Sequence, residues 1–398
     1  MAESVLVDPL PAPSGSVLER AQSVARIAAT FAGDVDRDSR FPREAVDGLR
    51  SARLLGAFVP RALGGEGCGF QELTWACQAL GQQCAATGMI FAMHQIQVAS
   101  LVRHGLPAPW FDSYLRTLAD RQLLIASVTS EAGVGGDLRT SLCAIEADGP
   151  RFRVQKEATT ISYGAEADAL LLTARRSKDA AANDQVMVLL RREDTALEKT
   201  GEWNTLGMRG TCSPGFRVRA AGSLEQVVPV PFADICPQSQ VPFSHVLWSG
   251  VWLGIATDAA NRARAYVRAE ARRRPGVTPP ASLRLAELMS LLQLMRNNVL
   301  GVAKECEELM ASPEGNEALS AMGFVLRMNN LKISCSQLVV QIVAQALLIC
   351  GIGGYRNDGK FSLGRHLRDS HSAALMINND RIHATNAQLL LVHKDEQP

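Results

Sequence analysis

The nine cysteines of the chain form no CxxC pair. They stand singly at Cys68, Cys77, Cys84, Cys143, Cys212, Cys236, Cys306, Cys335 and Cys350. That scatter excludes the common zinc and dithiol motifs and fits reduced, mostly buried thiols. No basic patch is interleaved with aromatics, and the net charge is +1 with a pI of about 7.6, so nucleic acid is not an expected partner. No uninterrupted apolar run reaches membrane-spanning length, so no membrane is expected either. Glu3, Asp8 and several prolines open the chain without a basic stretch followed by an apolar one. No secretory signal is therefore expected, and the expected location is the cytoplasm. Internal repeats and low-complexity segments are absent. What is present is an ordinary globular balance: 398 residues, 47% hydrophobic and 20% charged, enough for two or three domains with a sizeable core.

Residues 1–16, rich in Pro, Ser and Gly, read as a loose arm. Val24, Ile27, Ala28 and Phe31 fall at helical spacing and predict a helix over 17–32. Pro42 sits near the first turn of a second helix, whose apolar face runs through Leu49, Ala52 and Leu55 to a stop at Gly56. Residues 70–104 read as one closely packed helix rich in Ala76, Ala79, Ala85, Gly88 and Ala92, broken by Pro107 and Pro109, with a short helix over 113–119. After Leu124 the pattern turns to short apolar or alternating runs near Phe152, Ala169, Gln185 and Phe216, separated by Gly, Asp, Asn and Pro. Long helical patterns return over 245–271, 282–310, 319–350 and 367–391, the first ending in Arg272, Arg273 and Arg274. The expected fold is α+β: an N-terminal helical domain over 1–123, a central β domain over 124–241 and a C-terminal four-helix bundle over 242–398.

The stretch from Ile125 to Asp137 draws attention first. A β-forming start at Val128 and Thr129 opens into hydroxyls, Glu131 and the glycines Gly133, Gly135 and Gly136. Ser130 and Thr129 can hydrogen-bond a polar ring edge, and the glycines let backbone approach a ligand. Alone it also reads as a Gly-rich turn after a strand.

The order of segments resembles the acyl-CoA dehydrogenase family over nearly the whole chain. Residues 128–137 are similar to that family's T-E-P-G-A-G-S-D segment, with Ala132 for the Pro and Gly136 for the Ser. Thr160 to Gly164 resembles W-I-T-N-G, and Leu206, Gly207, Met208 and Arg209 match L-G-M-R. Arg272 to Gly276 is similar to R-x-x-F-G with Pro275 for the aromatic; Gln345, Gly353, Gly354 and Tyr355 resemble Q-x-x-G-G-x-G-Y; Arg368 and Asp369 resemble a late R-D pair. The resemblance implies FAD, its ring between the β domain and the bundle. Thr129 and Ser130 would meet the ring's polar edge, with Gly135 and Gly136 letting backbone come close to the cofactor; Thr160 stands where a Trp often covers the ring; Ser162 would approach N5. Arg272 would neutralise the diphosphate, although alone it reads as a solvated helix end. Gln345, Gly353 and Gly354 would touch the adenosine half across a dimer interface, implying a homodimer or homotetramer. Arg368 and Asp369 read as a structural ion pair.

The family reaction removes the proton α to a thioester carbonyl with a carboxylate while the β-hydrogen leaves as hydride to flavin. Counted from Asp369, the usual Glu position is Ile377, followed by Asn378; the alternative position on the first bundle helix is Ser244, beside His245. Neither holds a carboxylate. Three readings follow. The chain is an α,β-dehydrogenase of an acyl thioester, bound to CoA or a carrier protein, with His245 or Asp380 as base and an unassigned electron acceptor. Or it is a flavin monooxygenase of the same fold, for which His94 and His371 are imidazoles that could sit near the flavin. Or it binds without turnover. His245, expected at a helix start, suits a neutral base. Trp248, Trp252 and Met295 are candidates to shape the substrate cavity.

Overall fold

The computed structural model describes residues 14–106 and 108–394. The arm expected over 1–16 lies almost wholly outside the described residues, as does Pro107. The first helix, α1 (Val17–Arg37), is started by Ser16 and Glu19 capping each other's backbone amides. Helix α2 (Arg43–Ser51) follows, with Pro42 as its N-cap, next to the first turn as expected. The single helix expected over 70–104 is two, α3 (Phe70–Gln83) and α4 (Ala85–His104), parted at Cys84, which is extended at φ −146°. The small residues that made the run look continuous make the corner possible: a Cβ on Gly88 would lie 2.8 Å from the Gly81 amide nitrogen. Helix α5 (Pro109–Arg121) begins with its proline in the first turn.

The β domain holds two small sheets. In one, β1 (Ile125–Val128) pairs in parallel with β4 (Ala169–Arg175), which pairs antiparallel with β5 (Gln185–Arg191). In the other, β2 (Glu146–Asp148), β3 (Arg151–Ala158), β7 (Phe216–Ser223) and β6 (Thr195–Lys199) are antiparallel in that spatial order. Strand β3 alternates exposed and buried residues along its length, so one face meets the core. By contrast β4 is buried along nearly its whole run because both its faces are covered.

Short helices α6 (Phe232–Ile235) and a π-helix, Cys236–Gln240, lead without a break into α7 (Val241–Arg273). With α8 (Ala281–Ala311) and α10 (Met322–Cys350), α7 forms the body of the bundle; α9 (Gly315–Ser320) and α11 (Ile352–Tyr355) are short connectors. The last helix differs from expectation. Residues 367–391 are not one helix but α12 (Gly364–Ser370) and α13 (Asn379–Leu390), with turns over 371–378 between them. Ile377 in that break has φ +48°, a left-handed conformation that a β-branched side chain rarely adopts. Helices α4 and α10 are long and apolar enough to cross a membrane by length and composition; most of α4 and half of α10 are buried against the rest of the chain.

Candidate functional site

A cavity of about 590 Å³ lies where the β domain meets the helices. One wall is built by the β domain. Strand β1 delivers Ser127, and the residues after it deliver Thr129 and Ser130; Thr160, Ser162 and Tyr163 come from the segment after β3. The Ser130 hydroxyl donates to the Thr160 carbonyl at 2.7 Å and accepts from the Thr160 amide at 3.1 Å, so the two segments are pinned together. Ser213 Oγ donates to Ser162 Oγ at 2.9 Å. Ser162 donates to no described residue, which leaves its proton available toward the cavity. Tyr163 is left-handed at φ +44° and its hydroxyl reaches the Ile125 carbonyl at 3.0 Å.

Behind this wall Glu131 and Lys156 are buried together. Glu131 accepts from the Cys143 amide at 2.6 Å and from Ser141 Oγ at 2.7 Å, with Lys156 Nζ at 3.5 Å. Lys156 also donates to the Thr173 carbonyl at 2.7 Å, and burial lowers its pKa against the pull of Glu131. Gly133, Gly135 and Gly136 all have positive φ, which requires glycine. Gly135 and Gly136 do not line the cavity. They bridge to α13, where Arg381 donates to the Gly135 carbonyl.

The opposite wall is helical. Met89, Met93, Ile96 and Gln97 come from α4, Ser244 and Trp248 from α7, and His371, Ser372, Leu375, Met376 and Ile377 from the break after α12. The break is held from behind by Lys332 of α10, fully buried, which donates to the Ile377 carbonyl at 2.8 Å and to Asn379 Oδ1 at 2.6 Å. Burial brings its pKa down to about 8. Trp203, Thr205 and the residues Leu206, Gly207 and Met208 close a third side. Gly207 is required there by contact: a Cβ would lie 2.2 Å from the Arg368 carbonyl oxygen.

The two residues expected as bases do not reach the cavity. His245 is 2% exposed and lies within a helix already running from 241, not at a helix start. Its Nδ1 is 3.1 Å from Ser244 Oγ. Burial, then the Lys332 cation, push it down to about 3, so it is neutral yet walled off. Asp380 is exposed in the first turn of α13, capped by Asn378. Among the described residues, no Asp or Glu lines the cavity. Arg368 and Asp369 are not an ion pair with each other. Arg368 pairs with Asp36, while buried Asp369 accepts from the Met208 amide at 2.6 Å and is pushed up to about 6 by burial. His94 is structural: its Nε2 lies 2.8 Å from the Leu55 carbonyl and its Nδ1 accepts from the Ile125 amide at 3.0 Å. Of the histidines considered, His371 alone lines the cavity.

The residues expected to meet the far half of a dinucleotide lie elsewhere. Arg272 lines a separate cleft of about 420 Å³ with Asp258, Arg262, Lys360 and Phe361. Gly353 packs beside Tyr266, Gly354 against Cys350, and Gln345 Oε1 is buried with no hydrogen-bond partner among the described residues. Trp252 and Met295 are fully buried core and do not line the cavity. Sequence reading missed Met89, Met93, Gln97, Ser213 and Gln240, which join the site through tertiary packing and carry no motif.

The donor set fits a flavin ring. Ser127, Thr129, Thr160 and Ser162 offer hydroxyls on one wall for the polar edge, with Ser130 pinning that wall, and the apolar helical wall suits the rest of the ring. Comparison with known proteins agrees. Residues 18–120 match the acyl-CoA dehydrogenase N-terminal domain and residues 238–383 the acyl-CoA dehydrogenase C-terminal domain. The chain belongs to the acyl-CoA dehydrogenase family, a family of flavin oxidoreductases. It is similar to mitochondrial isovaleryl-CoA dehydrogenase of Pongo abelii, 24% identical with 85% of this chain and 79% of that one covered. It is equally similar to the amino sugar nitrososynthase DnmZ of Streptomyces peucetius, 24% identical over 86% and 84% of the two chains. Its fold matches FMN-bound TdsC from Paenibacillus sp. A11-2 with a TM-score of 0.82 at 20% identity, covering 96% of this chain and 98% of that one.

Proposed function

We propose that the chain is a flavin-dependent monooxygenase built on the acyl-CoA dehydrogenase scaffold, acting on a small substrate held beside the flavin. The observation that carries this reading is the absence of any carboxylate among the described residues lining the cavity. Thioester dehydrogenation needs a base positioned at the α-carbon, and the two groups expected to replace the family glutamate, His245 and Asp380, are respectively buried behind the wall and exposed outside it. Oxygen insertion needs no such base. Relatives of both kinds support keeping the chemistry distinct from the fold: one is an isovaleryl-CoA dehydrogenase, one an amino sugar nitrososynthase, and TdsC is a dibenzothiophene monooxygenase.

Reduced flavin, when bound, supplies the two electrons with which one atom of dioxygen enters the substrate and the other leaves as water. The chain's own contribution is positional. Ser162, its oxygen already holding the Ser213 proton, presents a donor. His371 presents an imidazole from the opposite wall, and the methionines and Trp248 exclude water. The cofactor is proposed to be FAD, with the adenosine half received by Arg272, Gln345, Gly353 and Gly354 of a second copy. Leu348 and Ile352, 65% and 74% exposed near Gln345, supply apolar surface for that copy. Mass analysis of the flavin released on denaturation separates FAD from FMN.

The decisive experiment has two arms. Anaerobic mixing of the oxidised flavoprotein with acyl-CoA and acyl-carrier thioesters should leave the flavin band unbleached. Reduced flavin, labelled dioxygen and aromatic substrates should give product carrying one labelled oxygen. Bleaching by a thioester overturns the monooxygenase reading in favour of dehydrogenation.

A further inference from the structure

The end of the cavity between α4 and the π-helix carries a feature that the proposed chemistry does not use. Gln97, Gln240 and Cys236 line it, and Gln240 is the last residue of the π-helix. Such wide turns are frequent where a helix must aim side chains at a ligand. This one is fastened: Ser239, fully buried, lies 2.8 Å from His104 Nε2 and 3.0 Å from Arg103 Nε.

Hydrogen-bond counting fixes which way the Gln240 amide faces. Ser100 Oγ spends its one proton on the Ile96 carbonyl at 3.0 Å, so it can only accept from Gln240, whose Nε2 is 2.8 Å away. Gln97 Nε2 donates to the Met93 carbonyl at 3.2 Å, which turns its Oε1 toward Gln240 Nε2 at 3.3 Å. Both hydrogens of the Gln240 amide are then engaged. Its Oε1 takes no hydrogen bond from any described residue, and Gln240 lines the cavity. The surroundings limit the ligand further. With no carboxylate on the lining, a cationic donor would be desolvated without compensation. Trp203, Trp248, Met89 and Met93 favour a flat apolar body.

We propose that Gln240 Oε1 is a specificity-determining acceptor, and that the substrate is a neutral aromatic molecule whose inner end carries an O–H or N–H donor. The inference rests on the monooxygenase reading in taking the ligand to be a whole small molecule rather than the tail of a thioester. Equilibrium dialysis of the full chain with oxidised flavin bound tests it, using 2-naphthol, its methyl ether 2-methoxynaphthalene, and octanoyl-CoA. The wild-type protein should bind 2-naphthol about fivefold more tightly than the ether, the usual worth of one neutral hydrogen bond. Gln240→Leu should abolish that preference, and a far-UV circular dichroism spectrum and unfolding midpoint matching wild type report an intact fold. Equal binding of the two naphthalenes by wild type, or a preference that survives Gln240→Leu, overturns the acceptor assignment alone. Failure of both naphthalenes to bind overturns the substrate class, and octanoyl-CoA binding in their place overturns the monooxygenase reading with it.

Discussion

The two walls of the cavity are held in place by different means. On the β side, cavity hydroxyls are tied to backbone: Ser130 exchanges two hydrogen bonds with the main chain of Thr160, and the Tyr163 hydroxyl reaches the Ile125 carbonyl. On the helical side, methionines present adaptable apolar surface, and among its polar groups the Gln97 and Gln240 amides meet each other side chain to side chain. The first arrangement suits a ligand of fixed shape, as a flavin ring is. The second can change with the substrate while the scaffold stays the same.

The comparison breaks most visibly if the anchor behind the β wall is removed. Glu131→Ala leaves Lys156 buried without its carboxylate and strips acceptors from the Cys143 amide and Ser141. The expected loss is about 3–5 kcal/mol of unfolding free energy, with weakened flavin retention, read by denaturant titration and by cofactor release. A variant as stable as wild type would mean that the β wall does not depend on this pair.

The β wall was also the part most legible in the sequence. Thr129 and Ser130 are adjacent in the chain and could be named from local pattern, Thr160 and Ser162 from the likeness to a family segment, and all four line one cavity. Helix positions followed from periodicity, but corners did not: the apolar spacing continues through Cys84, and through the break at 371–378, where buried Lys332 imposes a turn that no local signal marks. His245 was misplaced for a related reason. Pro242 reads as a helix start, yet helical structure is already running from Phe232, so the imidazole sits inside the helix and faces Ser244 and Lys332 instead of the substrate. Gln97 and Gln240 lie far apart in sequence and meet only through packing of α4 on the π-helix.

Acid should loosen the joint between the two walls. His94 on α4 accepts a hydrogen bond from the Ile125 amide at the start of β1, which its protonated form cannot do. Burial brings His94 and His104 down to about 4 and His245 to about 3, each below the ordinary 6.5. A folded pKa below the unfolded one means that the unfolded chain binds protons first, so stability present above pH 6.5 falls as pH drops toward 4. Asp369, raised to about 6, acts in the opposite direction. His94→Gln should remove one proton's share of the slope, at most about 1.4 kcal/mol per pH unit, measured by unfolding at a series of pH values. An unchanged slope would show that His94 is already free to protonate in the folded protein.

The finest test concerns a single hydroxyl. Ser162 accepts from Ser213 and has a proton left for the cavity, so Ser162→Ala removes one donor toward the flavin and leaves Ser213 to find another acceptor. Because Ser213 also lies 2.9 Å from Thr211 Oγ1, the loss behind the wall is cushioned, and the effect should fall on the ligand side. Flavin affinity should weaken by about three- to tenfold, the worth of one neutral hydrogen bond, with a shifted flavin absorption band and little change in unfolding free energy. A variant with unaltered spectrum and affinity would place the flavin's polar edge on Thr129 and free Ser162 for the substrate. A variant that binds flavin normally but loses the preference for 2-naphthol would move the donor-reading group from the helical wall to the β wall, and the division between the walls would no longer hold.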